Sequence, residues 1–470
     1  MRSFWGTITL SAQFKSMNLR QLCSTLLPSL LVACQNVHSE QKPLTLPQDP
    51  LVQVYFNHTE SSQYQETLRQ QQRNGDDLEQ QIITAISISK SSVDVAVQEL
   101  RLPKIAQALV ERQKAGVKVR VILENTYNYP LNESRPRKTA REAAKYDELR
   151  TQSDRNLDGQ ISAQEANQGD ALLILRNAKV PVIDDTADGS KGSDLMHHKF
   201  IVVDDRIVIV TSANFTSSDI HGDLTNPQST GNANNLVRID SPKLAALFTQ
   251  EFSLMWGGDR LFGLKKPFRP PQTIQVGNTT IDVKFSPTSP TSPWSQSTNG
   301  LIAKTLSTSS QSVNLALFVF SDQNIANTLE QQSLHNVQIR AVIDPDFIYR
   351  PYSEALDMMG VTLSNKCKVE ANNHPWLNPI TTVGVPQLLK GDLLHHKFAV
   401  IDNSAVITGS HNWSESANSS NDEALLVIHS PTVAAHYQQE FERLYAEAQL
   451  GVPEAVTQKI QQAQKQCSKS

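Results

Sequence analysis

The sequence predicts an α/β protein made of two duplicated α-β-α layered repeats that pack about a pseudo-twofold axis. A polar string occurs twice, at Leu195 to Phe215 and at Leu393 to Trp413, among apolar runs that are typical of strands. A strand, helix and strand pattern precedes each copy, and its two occurrences align with each other without a gap. Alternating strands and helices indicate helices layered on a sheet, and the repetition indicates two such units.

The chain begins with a segment that we predict to be a signal peptide, residues 1–33. Arg20 is followed by a short apolar run that ends in Leu-Val-Ala before Cys34, as in a lipoprotein signal. We therefore expect a mature start at Cys34 with a lipid anchor on that residue. The protein would then lie on the periplasmic side of a bacterial cell envelope. A plain secretion signal and an uncleaved anchor are the alternatives.

The first repeat is predicted over residues 51–262. It opens with a strand pattern near Val52 to Asn57 and continues with strands at Val93 to Val97 and Val117 to Arg120 around an amphipathic segment. It closes with a helix from Leu244 to Trp256. Apolar residues recur every second residue in the predicted strands and every three to four residues in the predicted helices.

The second repeat is predicted over residues 279–450, after an exposed linker at 263–278 that is rich in proline and lysine. Its strand at Val313 to Leu317 aligns with the corresponding strand of the first repeat, and its closing helix spans Val433 to Tyr445. Residues 451–470 are predicted to be a polar, helical C-terminal tail.

Composition limits the class of protein. The chain is 39% hydrophobic and 19% charged, which is typical of a folded globular protein. Its formal net charge is −4, and loss of residues 1–33 would remove basic residues but no acidic ones. Nucleic-acid binders rely on clustered lysine and arginine, so the overall balance does not favour one, although a local basic patch stays open.

The cysteines leave one question open. Cys23 lies in the predicted signal and Cys34 would be lipidated, which leaves Cys367 and Cys467. In an oxidising envelope these two residues pair or stay as isolated thiols, and the sequence does not decide between the two.

The duplicated string follows the pattern H-x-K-x4-D-x6-G-S-x-N. The residues that occupy it are His197, Lys199, Asp204, Ser212 and Asn214 in the first copy and His395, Lys397, Asp402, Ser410 and Asn412 in the second. Thr211 stands where the second copy has Gly409. Because residues two apart on a strand share a face, His and Lys project together, as do Ser and Asn on the next strand.

These side chains suit chemistry at phosphorus. A neutral imidazole can act as a nucleophile or transfer a proton, and an ammonium and an amide can hold phosphate oxygens. One copy lacks a partner that protonates the leaving group. Two copies that meet across the pseudo-twofold axis supply a nucleophile on one side and an acid on the other. The alternative is a degenerate pair kept for folding.

The pattern resembles that of the phospholipase D superfamily, and the likeness extends from about Leu51 to Leu450. The resemblance implies repeats of the phospholipase D type, a covalent phosphohistidine intermediate and no catalytic metal. It implies that His197 is the nucleophile and His395 the general acid. From their place after a turn, we expect the two aspartates to orient or stabilise neighbouring groups rather than to react. The resemblance also implies that Glu423 orients a histidine, and we expect this residue to reach across to His197. The aligned residue of the first repeat is Asn234, a departure from the pattern.

The resemblance leaves the substrate open. We expect a monomeric hydrolase that cleaves phospholipid headgroups at a membrane surface, which suits the predicted anchor. An endonuclease of the same superfamily, cleaving DNA or RNA, is the first alternative. An inactive calcium-dependent binding module is the second.

An acidic stretch inside the first repeat predicts a calcium loop. It lies in a segment by which the first repeat exceeds the second, and it follows a helix-like stretch that ends at Arg150. Oxygen ligands at alternate positions, a glycine at the sharp turn and a terminal glutamate match an EF-hand loop over residues 154–165. The predicted ligands are Asp154, Asn156, Asp158, the carbonyl of Gln160, and Glu165. We expect the calcium to be structural or regulatory; the alternative is an acidic surface turn.

Overall fold

The computed structural model describes residues 43–133, 139–226 and 228–467. The predicted signal peptide, the mature start at Cys34 and the last three residues lie outside these ranges, so the lipid anchor and the envelope location stay predictions. Among the described residues, no helix has both the length and the apolar character needed to cross a membrane.

The first half contains helices and strands in alternation. Its strands are β1 (Val52–Phe56), β2 (Gln63–Gln65), β3 (Gln72–Asn74), β4 (Ser92–Val97), β5 (Lys118–Leu123), β6 (Val182–Asp184), β7 (Lys199–Val203), β8 (Ile207–Thr211) and β9 (Asn235–Asp240). Its helices are α1 (Leu78–Ser87), α2 (Pro103–Lys114), α3 (Ala140–Ser153), α4 (Ala163–Gly169), α5 (Ala171–Asn177), α6 (Ser217–Ile220) and α7 (Pro242–Trp256).

The second half repeats this order. Its strands are β10 (Gln272–Val276), β11 (Thr279–Phe285), β12 (Ser312–Leu317), β13 (Phe320–Ser321), β14 (Gln338–Ile343), β15 (Val383–Val385), β16 (Lys397–Ile401), β17 (Ala405–Gly409), β18 (Trp413–Ser414), β19 (Ala424–His429) and β20 (Gln449–Leu450). Its helices are α8 (Thr298–Leu306), α9 (Gln323–Leu334), α10 (Glu354–Met358), α11 (Glu415–Ser419), α12 (Pro431–Ala446) and α13 (Glu454–Cys467).

Two mixed sheets carry the duplication. Among the described residues, the first sheet has the strand order β1-β9-β8-β7-β4-β5-β6. The second has β10-β11-β19-β17-β16-β12-β14-β15-β20, which is the same order with one added strand at each edge. In both sheets β4 with β5 and β12 with β14 are parallel pairs. The hairpins β7–β8 and β16–β17, which lie on the other side of β4 and β12, are antiparallel. The predicted fold class of two duplicated layered α/β repeats is confirmed.

Three apolar cores explain the layers. Helices α1, α2 and α5 cover the outer face of the first sheet, and α8, α9 and α10 cover the outer face of the second. The inner faces of both sheets share one core with α7 and α12, so that Phe200, Phe248, Phe398 and Tyr437 belong to a single cluster. Continuous apolar strands such as KFIVV suit this burial on both faces.

Main-chain contacts join the halves next to the two motifs. Met196 forms a parallel bridge with Asp422, and Ala233 forms one with Leu394. Asp422 also accepts a hydrogen bond from the His197 amide at 3.0 Å, while Ala233 accepts one from the His395 amide at 3.1 Å. Each catalytic-motif histidine is thus fixed by the backbone of the opposite half.

Two segments refine the predicted boundaries. The predicted linker at 263–278 is not all loop, because Gln272–Val276 pairs with β11 as an edge strand of the second sheet. The predicted tail contains α13 and is joined to the second half by a disulfide between Cys367 and Cys467. The cysteine question that the sequence left open is therefore answered by pairing.

Candidate active site

The two motif histidines line one cavity of about 560 Å³ between the halves. His197 lies two residues before the start of β7, and His395 lies two residues before the start of β16. Both strands are central in their sheets and buried along their whole length, so they are rigid supports. The structure therefore brings the two imidazoles to a shared pocket.

A carboxylate of the second half holds His197. Its Nδ1 lies 2.8 Å from Oε2 and 2.7 Å from Oε1 of Glu423. Burial, with Lys199 and Lys397 nearby, holds the pKa of His197 well below its usual value. A neutral ring that donates its Nδ1 proton to Glu423 has a lone pair on Nε2, as a nucleophile requires. The expected reach of Glu423 across to His197 is present.

An amide of the first half takes the corresponding place behind His395. Its Nδ1 lies 3.0 Å from Oδ1 of Asn234, and Asp219 is farther away, at 4.0 Å. Burial and the two motif lysines also lower the pKa of His395. The departure noted at Asn234 therefore gives the second ring a neutral partner where the first has a carboxylate.

The motif lysines are buried behind the histidines. Lys199 donates to the carbonyl of His197 at 3.1 Å and to Oε1 of Gln98 at 3.3 Å, while Lys397 donates to the carbonyl of His395 at 2.7 Å. Burial lowers the pKa of Lys199 to about 8 and that of Lys397 to about 7. An anion in the cavity would favour the charged form of both.

The motif asparagines face the cavity with spare bonding capacity. Asn214 and Asn412 both line it, and in each the buried amide Oδ1 has no hydrogen-bond partner among the described residues. A buried amide left unmatched costs free energy unless a ligand or water uses it. The unmatched Oδ1 can accept only from a donor such as water, whereas the NH2 group of the same amide is the donor that suits a phosphate oxygen.

The motif serines support the orienting residues from behind. Ser410 donates to Oε2 of Glu423 at 2.6 Å, and Ser212 donates to Oδ1 of Asn234 at 2.7 Å. Both serines are fully buried outside the cavity lining. Their role is to position Glu423 and Asn234.

The motif aspartates lie elsewhere, and their inclusion in the predicted catalytic set is wrong. Asp204 and Asp402 occupy turns with positive φ at the far ends of β7 and β16. Asp204 accepts hydrogen bonds from the backbone amides of residues 90–92, and Asp402 does so from residues 310–312. Each also accepts a hydrogen bond from a serine hydroxyl, that of Ser91 or Ser310. The five-residue strands separate the aspartates from the histidines, so they orient the segments before β4 and β12 and not the histidines.

The second histidine of each copy points away from the site, as alternation along a strand predicts. His198 Nε2 lies 3.3 Å from Glu251, and His396 Nε2 lies 3.0 Å from Glu440. Both rings are fully buried and pack edge-on against Phe200 and Phe398. These pairs stabilise the shared inner core.

Several cavity residues were missed by the motif analysis because no repeated pattern marks them. They come from the ends of β4 and β12, from the turn after β5, from α3 and from the segment after β8. They include Gln98, Glu99, Tyr127, Lys145, Glu148, Asp219, Asp223 and Phe318. The extra length of the first repeat was the one visible signal, since α3 lies within it.

The predicted calcium loop lies in the connection between helices α3 and α4. Helix α3 ends just before Asp154, and α4 begins just after Ser162, with Leu157 and Gly159 in the left-handed region. The backbone amides of Asp158 and Gly159 donate to the Asp154 carboxylate, at 3.2 Å and 2.8 Å.

The side chains of this loop do not converge on one point. Oε1 of Glu165 accepts from the amides of Arg155 and Asn156, and its Oε2 closes a capping box with Ser162. Across the described ranges, no three His, Cys, Asp or Glu side chains are grouped to hold a metal. The residue types and backbone fit calcium, whereas Glu165 would have to leave its amide partners to bind it.

Comparison with known proteins gives the same architecture. Residues 82–256 and 302–445 match the family model described as "Cardiolipin synthase, PLD-like domain". A mitochondrial cardiolipin hydrolase of Xenopus laevis is 29% identical over 39% of this chain and 79% of its own length. That of Mus musculus is 26% identical over 33% of this chain and 61% of its own length. The crystal structure of phosphatidylserine synthase from Haemophilus influenzae matches 92% of this chain and 94% of its own, with 12% identity and a TM-score of 0.55.

Proposed function

Because the chain belongs to the phospholipase D-like family described by the cardiolipin synthase domain, we propose that it hydrolyses phospholipid headgroups through a phosphohistidine intermediate. One observation carries the proposal: the imidazoles of His197 and His395, contributed by opposite halves, line one cavity. The names of its relatives, a cardiolipin hydrolase and a phosphatidylserine synthase, favour a lipid phosphodiester as substrate.

The first chemical step is displacement at phosphorus. Burial and the lysines disfavour the protonated form of His395, and the negative charge of a bound phosphodiester favours it. Nε2 of His197 attacks, the bond from phosphorus to the headgroup oxygen breaks, and protonated His395 gives its proton to the departing alkoxide. Lys199, Lys397 and the two motif asparagines stabilise the charge on the non-bridging oxygens. Glu423 stabilises the positive charge that develops on the His197 ring.

The second step releases the enzyme. His395, now neutral, takes a proton from water, and the resulting nucleophile attacks phosphorus. The bond from phosphorus to His197 breaks, which leaves phosphatidic acid and restores both rings. Each proton lost by His395 in the first step is thus regained in the second.

The first experiment measures headgroup release from vesicles of mixed phospholipids. We expect His197→Ala and His395→Ala each to lower kcat by about 10³-fold or more, since loss of a nucleophile or its acid removes the main route. His335→Ala is the matched control, because His335 is exposed at the end of α9. Near-wild-type turnover in either active-site variant contradicts the assignment.

The same preparations distinguish the alternatives. Nicking of DNA or RNA at low salt without headgroup release would favour the endonuclease assignment over the phospholipase assignment. Binding to vesicles without turnover of any phosphodiester would favour the inactive binding module. Trapping of phosphorus on a peptide that contains His197 would support the assigned nucleophile, and trapping on His395 would reverse the two roles.

We also propose that the loop at residues 154–165 binds calcium with a structural or regulatory role. Its acidic and amide oxygens and its turn geometry support this, and the catalytic roles above involve no metal. Calorimetry should show calcium uptake that Glu165→Gln abolishes and that Glu111→Gln, an exposed control on α2, retains. Absence of uptake by the wild type contradicts the proposal.

A further inference from the structure

The two walls of the catalytic cavity differ in charge. The wall of the second half presents Phe318, Gly391 and Leu393 beside His395 and Asn412, without a carboxylate among the described lining residues. Among the described lining residues, the wall of the first half presents acidic side chains around a single lysine, Lys145. Those acidic side chains are Glu99, Glu148, Asp219 and Asp223.

Lys145 shows how this wall accommodates an ammonium group. Its Nζ is paired with the Glu99 carboxylate and lies 4.9 Å from the centre of the Tyr127 ring. Arg101 holds the other oxygen of Glu99 at 3.3 Å and donates to the carbonyl of Tyr127 at 2.9 Å. A carboxylate and an aromatic face are thus fixed around one cation, an arrangement that favours ammonium groups.

Glu148 is an acid on the same wall that lacks such a cation. It lies one helical turn after Lys145 on α3, so the two side chains share a face. Its Oε1 is buried and has no hydrogen-bond partner among the described residues. Burial raises the pKa of the Glu148 carboxyl to about 7, and a cation beside it would favour the ionised form.

The acidity of this wall comes from segments that differ between the halves. Helix α3 belongs to the extra length of the first repeat. At the aligned ends of β4 and β12, Gln98 and Glu99 stand where the second half has Phe318 and Val319. The carboxylates are therefore additions to the duplicated phosphate-binding site.

Building on the proposed phospholipase function, we propose that this wall is a headgroup subsite that selects phospholipids whose headgroup carries an ammonium group. The phosphodiester is held between the histidines, and the ammonium lies against Glu148, with Asp219 and Asp223 contributing to the negative potential. A headgroup that carries a second phosphate, as in a cardiolipin or a nucleic acid, would bring like charges together at this wall.

The experiment compares short-chain phospholipids below their micelle concentration, so that the charge of a lipid surface does not contribute. The substrates are dihexanoyl phosphatidylcholine, phosphatidylethanolamine and phosphatidylglycerol, of which only the last has no ammonium. We expect the wild type to cleave the first two with a kcat/KM about tenfold higher or more, as a partly buried charge pair allows.

Glu148→Gln tests the residue itself. The variant should lower kcat/KM for the two ammonium substrates by about tenfold, chiefly through KM, and change that for phosphatidylglycerol by less than about twofold. Asp147→Asn is the matched control, because Asp147 precedes Glu148 on α3 and is exposed. Asp223→Asn should reduce the same preference. Because Asp223 lies outside α3, this result would show that the loss does not come from a structural defect of that helix.

The pH dependence provides a readout that a purely structural role would not affect. The charged groups acting on Glu148 are Lys145 on its own helix, Glu99 after β4, and Asp219 and Asp223 beyond β8. As pH rises through about 7, Glu148 ionises and the preference for ammonium substrates should grow. In Glu148→Gln this growth should disappear.

Each outcome is decisive for one of the two proposals. Equal cleavage of all three lipids by the wild type, or an equal loss on all three in Glu148→Gln, overturns the headgroup subsite and leaves the phospholipase function standing. Failure to cleave any lipid, with cleavage of a chromogenic phosphodiester retained, overturns the phospholipase function and the subsite with it.

Discussion

Glu423 and Asn234 occupy equivalent places behind the two catalytic-motif histidines, and they differ in charge. A carboxylate raises the basicity of the ring that donates to it, whereas an amide does so far less. Their supporting serines, Ser410 and Ser212, make the same contact in each half. The difference in charge at this one position therefore makes the two imidazoles differ in basicity.

Removal of that charge should slow catalysis. Glu423→Gln keeps a hydrogen-bond acceptor near Nδ1 of His197 but removes the charge that stabilises an imidazolium, so we expect kcat to fall by about 10²-fold or more. Steady-state kinetics on a phosphodiester measures this. A loss in Glu423→Gln below about threefold would contradict the assigned role.

The motif lysines predict a pH dependence. Lys397, with a pKa of about 7, and Lys199, with a pKa of about 8, must be protonated to attract the phosphate. Because a lowered pKa means loss of the charge as pH rises, kcat/KM should fall through this range. In Lys397→Arg, which stays charged, the fall should begin about one unit higher, although the guanidinium geometry lowers the maximum. An unchanged profile would refute this explanation.

At the scale of elements, the turns between the motif strands hold the start of a neighbouring strand by hydrogen bonds. Asp402 has a positive φ and accepts hydrogen bonds from three successive amides at the start of β12. Its pKa is held below the usual value by these hydrogen bonds, in spite of some burial. The repeated spacing from histidine to aspartate, as from His395 to Asp402, therefore reflects the length of one strand rather than contact between the two side chains.

Asp402→Ala should destabilise the fold while leaving the chemistry intact. We expect the free energy of unfolding to fall by about 1–2 kcal/mol, since the hydrogen bonds are charged but partly solvated, with kcat per folded molecule unchanged. A depressed pKa means that this stability is present near neutral pH and is lost as pH falls below about 4. Denaturant titrations at two pH values measure it, and a loss of kcat without loss of stability would restore a catalytic role.

Some elements were readable from the sequence and others were not. The β7–β8 and β16–β17 hairpins follow from their apolar runs and repeated spacing, and so do the convergence of the histidines and the helices α7 and α12. The same spacing led to the wrong prediction that Asp204 and Asp402 belong to the catalytic set, because a sequence pattern does not tell which end of a strand faces the site. Glu148 escaped notice because its role depends on the packing of α3 against a cavity that only the folded chain forms.

At the scale of the whole molecule, the shared inner core makes the halves interdependent. Phe248 on α7 and Tyr437 on α12 are fully buried in one cluster with strands of both sheets. Buried Lys266, in the connecting segment, forms ion pairs with Glu251 of the first half and Asp422 of the second. Either half alone would expose a large apolar face to water.

Separated halves should therefore fail to fold alone. Residues 43–262 and 263–467, expressed separately, are expected to be insoluble or partly folded, and their co-expression should recover a soluble pair with activity. Solubility and phosphodiester turnover of each preparation test this. A soluble single fragment with a cooperative unfolding transition would show that the halves are independent domains.

The inequality between Glu423 and Asn234 has a consequence for how a substrate enters. In an assembly of two identical copies, either ring serves equally well, and a phosphodiester that arrives in either orientation meets the same reagents. In this chain the two rings differ, so a phosphodiester bound in the reversed orientation would be attacked by the less basic ring. Because the two copies lie in one chain and differ at this position, we expect the reaction to favour one orientation of the bound phosphodiester.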